Sequence, residues 1–411
     1  MSYYTSSARK ETNSVDLDFG HGFIPRIGEE NYKAVDRCVG PTDLFSSALD
    51  LPWALVDGAW AEQKPELLGT LRDHGTNLLI DTHGWRFRYE SALDVAKLRA
   101  ASWAPTSPVL PADRSAGTAL VQASLRAQAE LGASAYLVPG WLPATPDEDL
   151  RPAYEQIVAT ASNLADVPPR PFVLFVGGHT RGLDQVGSLL DELPHFISAI
   201  YLQMTPLTPM KDSPSKLEAV TSLYQHAASI GFQVIAGHAG AVTPTLRSLG
   251  IEAADAGLAI GEGFDQSATK RRARPGPDAG QQRGGRRSRM YFGQIGMSLE
   301  AADVERLLAV PGAAAELRSC RLPCHRFSGH HVLDRAREHS LWARVEETQL
   351  VAALPSSMRA TSVYERLKSR RSVLTTVNGA LEAAGEAPLD GKYLDNHLTW
   401  MSRALATRSA A

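Results

Sequence analysis

Short, near-continuously apolar runs alternate with longer helix-like stretches through the first three quarters of the chain, and this alternation confines it to α/β architecture. The runs are WALVDGAW (53–60), NLLID (77–81), AYLVPGW (135–141), FVLFVGG (172–178), AIYLQM (199–204), FQVIAGH (232–238), EAADAGLAI (252–260) and RMYFGQIG (289–296). Segments such as AEQKPELLGTLRDHG and SKLEAVTSLYQHAASIG separate them. Strands that are apolar at nearly every position are covered on both faces, as parallel strands are. Eight of them with crossover helices are the count of a closed (β/α)8 barrel. A doubly wound open sheet is the rival, but no strand is followed by a GxGxxG turn. The sequence therefore predicts a TIM-like barrel over 51–312, an N-terminal segment 1–50 leading into it, and a helical subdomain over 313–411. With 44% apolar and 21% charged residues among 411, the chain can fill a sizeable core. No repeat of 20–50 residues interrupts this pattern.

No stretch approaches the ~18 apolar residues of a membrane span, and the opening MSYYTSSARKETNSVD lacks the apolar core of a signal peptide. Three cysteines, Cys38, Cys320 and Cys324, cannot build a disulfide framework. The expectation is a soluble, reduced, cytoplasmic protein with no membrane partner.

Charge is nearly balanced overall, with 42 Lys and Arg against 45 Asp and Glu, but one stretch is not. Lys270, Arg271, Arg272, Arg274, Arg283, Arg286, Arg287 and Arg289 are opposed only by Asp278. The stretch has no apolar face to bury, so it reads as a surface loop. A concentrated cationic loop suits contacts to nucleic-acid phosphates, each weakened by salt. A solvated insertion without a partner is the plain alternative.

Polar residues fall where a barrel places its chemistry, at the C-terminal ends of strands. Asp57, Asp81, His83, His179, Gln203, His238 and Asp255 hold such positions. Asp81 leaves an apolar strand into the turn Thr82-His83-Gly84-Trp85-Arg86, where Trp85 could flank a planar ligand; capping the next helix is the simpler role. Asp255 stands alone among Ala253, Ala254, Ala256 and Gly257, and a buried carboxylate without a partner is costly. Two carboxylates from different strands allow one to attack as nucleophile while the other moves a proton.

At these two sites the chain resembles the tRNA-guanine transglycosylase family, zinc-bearing (β/α)8 barrels that exchange guanine for a deazaguanine. The family's Asp-Ser-Gly-Gly-Phe-Gln turn is similar to Asp81-Thr82-His83-Gly84-Trp85-Arg86. Its Gln-Gly-Gly strand end is similar to Val176-Gly177-Gly178, and its nucleophile segment to Gly250-Ile251-Glu252-Ala253-Ala254-Asp255-Ala256. The resemblance touches roughly residues 50–350, in order. It implies Asp255 as nucleophile and Asp81 as general acid/base, with Gly177 and Gly178 near the substrate; His83, Trp85, Trp141, Gln203 and His238, at strand ends or in the loops after them, are the further candidate substrate contacts. It also implies Zn2+ on Cys320, Cys324 and His339, with His325, His330 or His331 as fourth ligand.

The chain departs from the family in two places. One family cysteine is missing, and the aspartate that reads guanine's edge is replaced by Pro139-Gly140-Trp141, where Trp141 could stack on a base but supplies no carboxylate. These departures favour the branch that places deazapurines in DNA over the tRNA enzymes. The implied mechanism is attack of Asp255 on C1′ of an extruded nucleotide, a glycosyl-enzyme intermediate, and displacement by a deazaguanine base. The basic stretch Lys270–Arg289 would hold the flanking phosphates.

Two rivals belong to other classes. A metal-dependent hydrolase would gather His21, His83, His179 and His238 with Asp255 around a catalytic ion. A catalytically silent paralogue would bind nucleic acid alone or as a partner subunit. Trp53, Trp60, Trp85, Trp103 and Trp141 read first as packing residues, and the tail helices between Val363 and Leu405 as a packed bundle or homodimer surface.

Overall fold

The computed structural model describes residues 17–29, 31–39, 49–194, 196–197, 199–258, 263–266, 289–317 and 335–410. Eight parallel strands form the central sheet: β1 (Phe23–Ile27), β2 (Trp53–Asp57), β3 (Asn77–Asp81), β4 (Tyr136–Val138), β5 (Phe172–His179), β6 (Ala199–Thr205), β7 (Gln233–Ala236) and β8 (Ala253–Ala256). Their order is β3-β2-β1-β8-β7-β6-β5-β4, so the first strand pairs with the last in the register Ile24↔Asp255. Between β3 and β4 the barrel closes without a ladder. There the Ser134 amide donates to the Leu78 carbonyl (2.9 Å), and the Leu78 amide donates to Ser134 Oγ (3.0 Å). Helices cross between successive strands, as at Arg114–Glu130, capped by Asp113, and Pro214–Ser229, capped by Ser213 with proline at the first turn.

The (β/α)8 expectation holds, but one of its eight strands is different. FIPRI, within the segment expected to lead into the barrel, is its first strand. RMYFGQIG is no barrel strand: β9 (Arg289–Phe292) folds back on β10 (Met297–Glu300) as an antiparallel hairpin. Gly293 to Gly296 form its turn, and a turn that short joins antiparallel strands only.

Alternation along the strands sorts side chains into two cores. Ile24, Leu55, Leu79, Val173, Tyr201, Ile235 and Ala253 fill the cylinder. Residues of the opposite parity, such as Leu174, Val176, Ile200 and Leu202, pack outward on the helices. The next inward position after the apolar layer carries Arg26, Asp57, Asp81, Gly177, Gln203, Gly237 and Asp255. A polar layer thus lies across the C-terminal mouth, where barrels hold their chemistry.

Beyond the hairpin come the helices Ala301–Ala309, Pro311–Leu317, Ala336–Ala352, Ser356–Ala383 and Lys392–Ala410. A buried knot fastens them: Glu347 accepts from Tyr291 Oη and from Arg370 (2.5 Å each), while the Arg344 guanidinium lies 4.2 Å from the Tyr291 ring centre. The last two helices pack on each other and on the barrel, as a bundle. Among the described residues no helix is long and apolar enough to cross a membrane.

Candidate functional site at the barrel mouth

Arg26 is the centre of the polar layer. Its Nε donates to Asp255 Oδ2 (2.9 Å), its Nη1 to Asp81 Oδ2 (2.8 Å) and its Nη2 to Tyr201 Oη (2.6 Å). One planar guanidinium therefore joins the two aspartates singled out in the sequence. Its own side chain is 18% exposed, whereas Asp255 is fully buried. Asp255 Oδ1 accepts from Tyr201 Oη (2.6 Å) and from the His238 amide (2.8 Å), so both its oxygens are engaged. The Tyr201 ring fits beneath because Gly237 has no side chain; a Cβ there would lie 2.9 Å from the ring. Burial, with Asp255 beside it, keeps the Tyr201 hydroxyl protonated far above its ordinary range, so it donates.

Asp81 is held from two sides. Its Oδ1 accepts from the His83 amide (2.8 Å), and its Oδ2 faces His83 Nδ1 at 3.2 Å as well as Arg26. The other ring nitrogen of His83 lies 3.5 Å from Asp57 Oδ2, which also accepts from Lys97 Nζ (2.9 Å). Burial opposes the charge on Asp81, but His83 and then Arg26 outweigh it and hold the carboxyl well below the usual carboxylate range. Asp57 is lowered in the same way by His83 and Lys97 against its burial. Burial works against protonation of His83, yet Asp81 and Asp57 together raise its pKa above the ordinary value. The result is an alternating series, Lys97, Asp57, His83, Asp81, Arg26, Asp255, across one end of the cylinder.

Aromatic rings cover it. Phe264 meets Trp85 edge-on (5.4 Å between centroids) and stacks on His238 (5.2 Å, 27°). Backbone hydrogen bonds with Leu207 in both directions, and the Gln266 amide donating to Thr205 Oγ1 (3.0 Å), fix that segment over β6. Gln203 points into the same interior, is 1% exposed, and its Nε2 has no acceptor among the described residues.

Of the residues expected around a substrate, Asp81, Asp255, His83, Trp85, Gln203 and His238 come together here. Gly177, Gly178 and Trp141 are packed against neighbouring chain. A Cβ on Gly177 would sit 2.2 Å from the Trp141 carbonyl, and one on Gly178 would sit 2.7 Å from Met204 Sδ. Neighbouring chain occupies the space that a side chain would need at both glycines. Trp141 is buried in the outer core, and its amide and carbonyl both bond the Tyr154 hydroxyl (3.1 and 2.9 Å). A cleft of about 340 Å³ opens to one side, lined by Asp147, Gly177, His179 and Asp184 among others, and neither central aspartate borders it.

The histidines of the hydrolase reading do not gather. His21 precedes β1 and contacts the Asp50 carbonyl, at the opposite end of the cylinder. His179 stands at the rim with its Nδ1 accepting from the Arg181 amide. Among the described residues no group of three His, Cys, Asp or Glu side chains is arranged to hold a metal.

Of the expected zinc ligands, Cys320, Cys324 and His325 lie outside the described residues. His339 is buried in the helix Ala336–Ala352, with its ring 5.8 Å from that of Phe292. Of the basic stretch, Lys270, Arg271, Arg272, Arg274, Arg286 and Arg287 also lie outside, and Arg289 pairs with Glu300 across the hairpin (3.1 Å).

Arg26, Tyr201, Lys97 and Phe264 were not foreseen from the sequence. The signal for Arg26 was present in Gly22-Phe-Ile-Pro-Arg-Ile-Gly28, a glycine-bracketed run that places Ile24 and Arg26 on one face. No protein-family model matches the chain, and no curated protein matches it.

Proposed function

We propose that the barrel mouth exchanges a purine base in nucleic acid, guanine for a 7-deazaguanine-type base, with DNA favoured over tRNA. The observation that carries this reading is the convergence of Asp81 and Asp255 on the Arg26 guanidinium, at the end of the barrel where such chemistry resides. Asp255 attacks C1′ as the C1′–N9 bond to guanine breaks, giving a glycosyl ester. The incoming base then breaks that ester, forms its own bond to C1′ and loses a proton to Asp81. The transition states resemble those of retaining glycoside hydrolysis. Attack requires Arg26 to release Oδ2 of Asp255, and entry of a base requires Phe264 to move from the mouth. Lys270–Arg289 follows Phe264 in the chain and supplies phosphate contacts that offset the few kcal/mol of base extrusion. A structural Zn2+ on Cys320, Cys324, His325 and His339 belongs to the same reading and takes no part in these steps. One equivalent of zinc in the purified protein is its expected signature.

The test is single-turnover labelling with radiolabelled guanine, offered tRNA and DNA in parallel, on wild type and Asp255→Asn. Wild type should incorporate label and form a trappable covalent complex, and Asp255→Asn should do neither. Incorporation by the variant at the wild-type rate overturns the assignment.

A second reading has an observation of its own. Asp255 is fully buried with both oxygens engaged, beneath aromatic rings, which suits a catalytically silent nucleic-acid-binding barrel. Binding of either polymer by wild type without covalent trapping would establish that reading instead.

A further inference from the structure

Held between Arg26 and His83, Asp81 rests as a carboxylate, and a carboxylate carries no proton to give. Base exchange needs a proton on the departing base and a place for the one the incoming base loses. We propose that His83 stores that proton, as a positioning residue that acts through Asp81; the inference rests on the exchange reading above.

Three observations support it. First, both ring nitrogens of His83 face carboxylates, Nδ1 toward Asp81 and Nε2 toward Asp57. A carboxylate only accepts, so two such contacts fit the doubly protonated ring. Second, His83 is held in left-handed backbone geometry, φ 53°, which costs a non-glycine residue about 1 kcal/mol or more. That geometry aims its amide at Asp81 Oδ1 while its ring reaches Oδ2. Third, its side chain is only 12% exposed, so its proton is shared with Asp81 and Asp57 before it meets solvent. The charged groups acting on this assembly are Arg26 from β1, Asp57 from β2, Asp81 from β3, Lys97 on Asp57, and Arg86 from the turn after β3.

The proton balance is closed. As the C1′–N9 bond breaks, the Nδ1 proton of His83 passes to Asp81 and on to the departing guanine, leaving a neutral ring that keeps its Nε2 proton, directed at Asp57. When the incoming base bonds C1′ and the Asp255 ester breaks, that base's proton goes to Asp81 and returns to Nδ1. No net proton is exchanged with solvent.

Ring resonances of 15N-histidine-labelled protein, assigned by their loss in His83→Gln, test the store without reference to exchange. Both nitrogens of His83 should carry protons at pH 7, and Asp81→Asn should shift the ring's titration to lower pH. A singly protonated ring at pH 7 overturns the proposal. Where exchange is measurable, His83→Gln should slow it about 100-fold at unchanged KM and remove the alkaline limb of its pH profile. A wild-type rate and profile in the variant also overturn it. Absence of exchange in wild type would sink the transglycosylase reading alone, because the ring titration still answers for His83.

Discussion

His83 and His238 adopt the same left-handed backbone conformation, φ 53° and 55°, and each donates its amide hydrogen to one of the two central aspartates at 2.8 Å. Among the described residues they are the two non-glycine positions with positive φ. The strain is local, and it is repeated at both acids of one site. Backbone strain of this kind persists where surroundings over-determine it, and here it aims a backbone donor at each acid.

Arg26→Ala should be strongly destabilising. It removes the shared counter-charge of Asp81 and Asp255, leaving the latter fully buried, and a buried pair broken from one side costs about 3–5 kcal/mol. Urea denaturation should show the loss, and Asp81→Asn added to the variant should recover part of it.

Acid should weaken the docking of the last helix. His397 is buried in that helix, its Nε2 3.0 Å from the Pro209 carbonyl, and burial pulls its pKa down to about 4. The unfolded chain, with an ordinary value of about 6.5, takes up the proton more readily. Stability is therefore full above about pH 6.5 and falls, by roughly 3 kcal/mol in all, as the pH drops toward 4. Thermal unfolding of His397→Phe should show a shallower acid slope than wild type.

Gly177→Ala should cost about 3 kcal/mol, because the new methyl meets the Trp141 carbonyl and Leu142. Gly69→Ala, in the helix Pro65–Asp73 with open space at that position, should stabilise by about 0.4–1 kcal/mol. Circular-dichroism melts of the pair distinguish a packing glycine from a permissive one.

Nucleic-acid affinity should fall steeply with salt, and Arg286→Gln with Arg287→Gln should flatten that dependence by about two ion contacts. Fluorescence anisotropy of a labelled oligonucleotide across a salt series reads the slope directly. An unchanged slope would remove those two arginines from the interface.

The fold was legible where strands were long and apolar, and so was the pairing of Asp81 with Asp255, because barrel order places both at one end. FIPRI was obscured by its proline and its arginine, which look like loop residues until the strand's inward face is known. RMYFGQIG shares the composition of a buried parallel strand, and only its four-residue turn reveals a hairpin. Why positions 177 and 178 are glycine was illegible, because sequence cannot tell which neighbour needs the space. Phe264 was illegible for a related reason, since its place over the mouth is set by pairing with Leu207, far away in the chain.

The docking of β8 beside β1, with Asp255 opposite Ile24, has a consequence for how the molecule is made. Arg26 meets Asp81 as soon as the first three strands assemble, but Asp255 reaches it only when the eighth strand slots home. Synthesis from the N-terminus thus leaves the guanidinium without its second carboxylate until the last strand is laid. A ring shut out of register by one residue would turn Asp255 away from Arg26 and toward the outer helices, so electrostatics there verifies that the cylinder was wound correctly.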